Sequence, residues 1–249
     1  MARIVGIIPA RYGSKRLPGK MLLDLAGKPL IVHTYERARA AKLLDRVIVA
    51  TDDERIVEAV TRAGGEAVMT STDHRSGSDR IAEVASTLEC NIVVNVQGDE
   101  ALVEPEVVDA VARLLLERPD AEMGTMACPI HTEQEYADRN VVKVVFAHNG
   151  EALYFSRAPI PHSKRGSFAP GLAAHRHIGI YSFRRDFLLA YAALAPSALE
   201  RAEELEQLRA LDHGYRIVVG VATDYASLNI DTLQDLEKAR GLLCRNTSS

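Results

Sequence analysis

The sequence predicts an α/β protein: a mostly parallel sheet with helices on both faces, carrying an antiparallel insertion. Three observations support this. Strand-length runs of Val and Ile recur over residues 3–97, and such continuous apolar runs mark strands buried on both faces. Helical patterns separate them, and that alternation builds a parallel sheet. From about residue 123 the alternation gives way to strand-like segments around Asn149-Gly150, a strong hairpin signal. A chain of 249 residues, 47% hydrophobic and 26% charged, suits a single domain over 1–249 with the insertion at about 123–185.

Taken in order, residues 3–9 (RIVGIIP) read as a strand and 29–42 as a helix, with Pro29 suited to its first turn. Residues 46–53 are a strand and 54–64 a helix ended by Gly64. A short strand at 66–71 precedes a helix at 78–88, and a strand at 91–97 precedes a helix at 104–119 closed by Pro119. In the insertion, 123–130 is a strand leading into an irregular stretch, 141–157 is a hairpin and 175–184 is a strand. A helix at 184–194 follows, then one continuous helix at 197–214 with Ser197 as N-cap and Gly214 as stop. Residues 216–222 return to strand, and 231–243 form a last helix capped by Thr232.

Composition excludes several classes. A net charge of −4 argues against a broad nucleic-acid-binding face. Cys90, Cys128 and Cys244 show no C-x-x-C spacing, which speaks against a disulfide framework or a cysteine zinc site. No apolar run approaches the roughly 18 residues of a membrane span, and the first apolar run stops at Pro9, unlike a signal peptide. A cytoplasmic protein without membrane partners is expected.

Against that acidic balance, PARYGSKRLPGK (9–20) stands out: Arg11, Lys15, Arg16 and Lys20 with no carboxylate among them. The stretch follows a strand, at the end where open α/β sheets bind ligands. It lacks the Walker spacing, since five residues separate Gly13 from Gly19 and Met21 stands where Ser or Thr is required. Without a partner inside the stretch, the cations suit an external polyphosphate; a solvated basic loop is the plainer alternative. Asp99 and Glu100 also follow a strand, where carboxylates hold Mg²⁺ beside phosphate, although an acidic turn leading a helix looks the same. Asp231 sits similarly between strand and helix, a placement that helix N-termini favour in any case. Residues 73–80 (DHRSGSDR) could present amides and hydroxyls to a base or phosphate, and a helix cap explains them equally well. His175 and His177 share one strand face, but no further ligands accompany them, so zinc is not expected.

PARYGSKRLPGK, HRSGSDR, NVQGDE, ALYFSRAPIP, HIGIY, LEQLR and IDT occur in one order over nearly the whole chain. Together they resemble the 3-deoxy-manno-octulosonate (Kdo) cytidylyltransferases. The resemblance implies a Rossmann-like nucleotide fold, CTP and Kdo as substrates, CMP-Kdo and pyrophosphate as products, Mg²⁺ as cofactor, and a cytoplasmic homodimer built around the insertion. It assigns Arg11, Ser14, Lys20 and Arg16 to the CTP phosphates. Ser76, Gly77 and Ser78 fall to base and ribose, with Arg80 in the same motif. Gln97 falls beside the junction of sugar and nucleotide, and Asp99 and Asp231 to the metal. Arg157, His177, Tyr181, Glu206 and Gln207 fall to the sugar, Arg157 facing its carboxylate. Lys20, Asp99 and Asp231 are the implied catalytic set, acting as the anomeric hydroxyl attacks the α-phosphorus in line.

Two departures touch the metal residues. Ala101 replaces the proline usual after Gln-Gly-Asp-Glu, and DYASLNIDT, with Asn229, replaces a glycine-containing loop before Asp231. A variant sugar such as 8-amino-Kdo, a sialic acid, and a catalytically inactive nucleotide-binding regulator are the competing readings.

Overall fold

The computed structural model describes residues 2–14, 16–164, 168, 172–223, 225 and 228–246, the last three without their side chains. Lys15, the side chain of Cys244 and part of the 224–227 loop lie outside the described residues. The chain forms two compact units, Met1–Asp109 with Ala226–Ser249, and Ala110–Tyr225.

The first unit contains a parallel sheet. Strand β1 (Ile4–Ala10) pairs in parallel with β4 (Arg46–Thr51) on one side and β6 (Ile92–Asn95) on the other, and β4 pairs in parallel with β5 (Ala67–Met69). Every residue of β1 is buried, so both of its faces are covered, as its unbroken apolar run predicts. Helix α1 (Leu30–Arg39) packs on β1 and β4, α2 (Glu54–Arg62) on β4 and β5, and α3 (Gly77–Ser86) on β1, β4 and β6. Asp53 caps α2, and Ser76 caps α3 through a capping box with Asp79. Helix α9 (Leu233–Asn246) begins where the Thr232 hydroxyl accepts from the Asp235 amide at 3.2 Å. Helix α4 (Pro105–Glu117) contains the unit boundary.

Two details of this unit escaped the sequence. The basic stretch ends in a 3₁₀ turn (Lys20–Leu22), followed by a small hairpin of β2 (Asp24–Leu25) and β3 (Lys28–Pro29). Pro29 therefore precedes α1 in an extended conformation instead of forming its first turn.

The second unit is mixed. Strand β7 (Met123–Pro129) pairs in parallel with β11 (Ile217–Val221) and antiparallel with β10 (His175–Arg184). Strands β8 (Lys143–Phe146) and β9 (Ala152–Ser156) form the expected hairpin through Asn149 and Gly150, and β8 pairs with β10. These antiparallel pairings all lie inside a unit wider than residues 123–185. The irregular stretch after β7 contains a short helix α5 (Glu133–Ala137) capped by Thr132. Helix α6 (Arg185–Ala192) follows β10.

The helix expected over 197–214 is broken in two, α7 (Ala198–Glu203) and α8 (Leu208–Asp212). Glu204 takes a left-handed conformation (φ 52°), and Leu205 turns inward and is buried. The break is pinned from both sides. Arg209 grips Glu200 with two hydrogen bonds of 2.8 and 2.6 Å, and the Tyr191 hydroxyl donates to the Glu206 carbonyl at 2.6 Å. Tertiary contacts thus override a continuous helical pattern.

Candidate functional site

In the first unit, the exits of β1 and β6 build one cleft of about 430 Å³. A side chain at Gly98 would bring its Cβ within 2.7 Å of the Pro9 carbonyl, so glycine allows the two exits to touch. Gly19 adopts φ 68°, and its amide donates to the Tyr12 carbonyl at 3.2 Å, closing the basic stretch into a loop. The loop delivers Arg11, Ser14, Arg16 and Lys20 to the cleft, where Ser76, Gly77, Arg80, Gln97, Asp99 and Asp231 join them. Ser78 is the exception among the expected nucleotide residues: it is buried in α3 and does not line the cleft.

Two of these cations, Lys20 and Arg16, do have internal partners, contrary to what the stretch alone implies. The nearly buried Lys20 ammonium donates to Asp99 Oδ2 at 2.8 Å and to Asp231 Oδ1 at 3.0 Å. Arg16 meets the same Asp231 oxygen at 2.9 Å. The carboxylates come from distant segments, which a local reading cannot see. Asp231 is carried to Asp99 by the main chain, since the Ile230 amide donates to the Asp99 carbonyl at 3.1 Å. Among the described residues, no three His, Cys, Asp or Glu side chains form a metal-binding group. The donor set nevertheless fits Mg²⁺, which takes one or two carboxylates and completes its shell with phosphate and water oxygens. Asp99 and Asp231 are two such carboxylates, already drawn together around one cation.

Asp52, a residue no motif singles out, ties two walls of this cleft together. Its Oδ1 accepts from the Tyr12 amide at 3.0 Å, and its Oδ2 accepts from Arg80 Nη2 at 2.9 Å. Arg80 is buried and also donates to the Thr70 hydroxyl at 2.5 Å, so much of its charge serves to hold the cleft together. The Arg55 guanidinium stacks 3.6 Å above the Tyr12 ring, steadying the loop from outside.

The five residues expected at the sugar all lie in the second unit. His177 and Tyr181 stand on β10, with their ring centroids 5.3 Å apart. Burial lowers the His177 pKa to about 3, so the ring is neutral at ordinary pH. Burial, with Glu206 nearby, pushes the Tyr181 phenol up, so it stays protonated. Glu206 and Gln207 occupy the break between α7 and α8. Among the described residues, the buried Gln207 amide nitrogen has no hydrogen-bond partner. A buried donor of this kind is costly unless a ligand meets it.

Arg157 follows β9. Its Nε donates to the Glu203 carbonyl at 2.8 Å, and its terminal nitrogens approach the carbonyls of Arg139 and Glu204 at 3.3 and 3.4 Å. Lys143, a second residue the sequence did not flag, fixes the main chain there. It is fully buried, and its ammonium donates to the carbonyls of Asp138, Val141 and Arg157 at 2.6–2.8 Å. Burial lowers its pKa. His175 packs against Phe146 with ring centroids 4.9 Å apart.

The cytidylyltransferase family model matches residues 5–217. The 3-deoxy-manno-octulosonate cytidylyltransferase of Trichlorobacter lovleyi is 50% identical over 246 residues, covering 96% of this chain and 97% of that protein. Its counterpart in Anaeromyxobacter dehalogenans is 53% identical and covers 98% of both chains. A solved structure of a CMP:2-keto-3-deoxy-manno-octonic acid synthetase complexed with CTP superposes with a TM-score of 0.93 at 42% identity, covering 98% of this chain and all of that one. Likeness at this level over almost the full length, with a cationic cleft at the exits of a parallel sheet, places the chain in the 3-deoxy-manno-octulosonate cytidylyltransferase family.

Proposed function

We propose that the protein joins CTP to Kdo, giving CMP-Kdo and pyrophosphate and so activating Kdo for lipopolysaccharide assembly. The observation that carries this reading, beyond family membership, is the convergence of Asp99 and Asp231 on Lys20 inside a cleft lined by Arg11 and Arg16. That pairing of carboxylates with cations suits attack at an α-phosphate whose leaving group is a polyanion. Arg11, Arg16 and Lys20 stabilise the charge that grows on pyrophosphate as it leaves. Ser76 and Gly77, at the start of α3, offer a hydroxyl and the Gly77 amide to the nucleoside. Asp99 and Asp231 would hold Mg²⁺, which supplies charge neutralisation at the α-phosphate and a lowered pKa for the attacking hydroxyl.

On the second unit, Arg157 faces the Kdo carboxylate, and neutral His177, Tyr181 and Gln207 meet its hydroxyls. The protein acts in the cytoplasm as a homodimer joined through the second unit. Among the described residues, no helix is long and apolar enough to cross a membrane.

Kdo-dependent release of pyrophosphate from CTP, measured with and without EDTA, tests this function. Release that needs both substrates and stops with EDTA is the expected result. Equal release with GTP, UTP or ATP, or no release with Kdo, would refute it.

A further inference from the structure

Strand β10 does not pair evenly with β7. Ile178 stands opposite Met126 but Tyr181 stands opposite Thr125, so the register slips at residues 179 and 180. Such a bulge leaves main-chain groups without ladder partners. Thr125, which is fully buried, serves them: its Oγ1 lies 2.8 Å from the Ile180 carbonyl and 3.3 Å from that of Ile178. The same oxygen lies 2.9 Å from His177 Nε2.

A hydroxyl has one hydrogen and two lone pairs. Both carbonyls are acceptors only, and two oxygens 2.8 Å apart need a hydrogen between them, so the Thr125 hydrogen points to the Ile180 carbonyl. Toward His177 the oxygen then has only a lone pair to offer, and Nε2 must carry the proton. In a neutral imidazole this leaves Nδ1 bare, an acceptor. The rings of Phe155 and Tyr181 flank the imidazole with centroids at 5.1 and 5.3 Å. Among the described residues, no hydrogen-bond partner meets Nδ1.

We propose that Thr125 is a positioning residue that fixes His177 as the Nε2–H tautomer, so that Nδ1 accepts a hydrogen bond from a hydroxyl of the sugar acid. This rests on the reading that His177 faces the sugar. The bulge matters to this tautomer, because the Ile180 carbonyl that takes the Thr125 hydrogen lies within the slip. It also limits the ligand group at this point to a hydrogen-bond donor, which excludes the sugar's carboxylate.

Long-range proton–nitrogen correlation spectra of ¹⁵N-histidine-labelled, sugar-free protein test the tautomer. The wild type is expected to show Nε2 protonated and Nδ1 bare. Thr125→Val should lose that preference, and Thr125→Ser should keep it. In steady state, Thr125→Val should raise the KM for Kdo about ten-fold, the effect of one lost hydrogen bond, while the KM for CTP stays at the wild-type value. Thr125→Ser should restore the KM for Kdo to within about two-fold of wild type. A protonated Nδ1 in the wild type, or a Thr125→Val enzyme with wild-type KM for Kdo, overturns the proposal. Should Thr125→Val not fold, the wild-type spectrum together with Thr125→Ser decides. The spectra need no sugar, so a wild-type enzyme that ignored Kdo would refute the proposed function, while the Nε2–H tautomer would still uphold the role of Thr125.

Discussion

The cations beside the two sets of candidate ligand residues are held in opposite ways. In the first, Lys20 and Arg16 sit against the carboxylates of Asp99 and Asp231, so positive and negative charge cancel within one cluster. In the second, Lys143 and the Arg157 guanidinium rest on main-chain carbonyls, which orient a cation without neutralising it. The nearby Glu203 carboxylate is taken up by the Ser156 hydroxyl and the Arg157 amide. The difference matches two ligands of different charge. A polyphosphate arriving with a metal ion brings both signs and can trade partners with an ion cluster. A sugar acid brings one carboxylate and needs a cation whose charge is still available.

Breaking the cluster should have the largest effect. Asp99→Asn keeps the size of the side chain but removes its charge, and turnover should fall by about 10²-fold or more. Steady-state pyrophosphate release at saturating Mg²⁺ checks this, and a wild-type rate would contradict the metal assignment.

Removing the carbonyl-held guanidinium comes next. Arg157→Met should weaken Kdo binding by about 10–100-fold, in line with a lost hydrogen bond to a charged group. Calorimetric titration should show CTP binding unchanged. Asp52→Ala makes the reverse test, because it releases both Tyr12 and Arg80. CTP affinity should drop about ten-fold, as expected when one charge-assisted contact between two walls is lost. Loss of melting temperature without loss of CTP affinity would reduce Asp52 to a stabiliser.

The smallest effect concerns pH. Unfolded, His177 titrates near the ordinary value of about 6.5; folded, burial holds it to about 3. Between these values the unfolded chain binds a proton that the folded chain refuses, so stability falls as pH drops through that window. His177→Gln should therefore lose about 4–8 °C less in Tm between pH 7 and pH 5 than the wild type, read by calorimetry.

Much of this comparison could be read in the chain before the structure. Strands of continuous Val and Ile, the Asn149-Gly150 hairpin and the caps at Ser197 and Thr232 are local patterns, and each occurs where expected. Arg11, Ser14, Lys20, Gln97 and Asp99 follow two strands of one parallel sheet, so topology alone carries them to one rim. The link from Asp52 to Tyr12 and Arg80 and the pairing of the bulge at residues 179 and 180 with Thr125 join segments far apart in sequence, and the carbonyls around Lys143 are gathered by a turn and a neighbouring strand. No periodicity encodes them. The break at Glu204 was hidden for a related reason. Residues 197–214 carry helical spacing throughout, and contacts that this spacing does not show, the grip of Arg209 on Glu200, the Tyr191 bond to the Glu206 carbonyl and the burial of Leu205, turn the chain there.

The central claim is a division of labour, nucleotide on the first unit and sugar acid on the second. It is tested most directly by the KM values for CTP and Kdo, measured by pyrophosphate release in Asp52→Ala and Arg157→Met side by side. The account predicts a raised KM for CTP alone in Asp52→Ala and a raised KM for Kdo alone in Arg157→Met. If either variant raised both values equally, or if the two effects were exchanged, the division would be wrong.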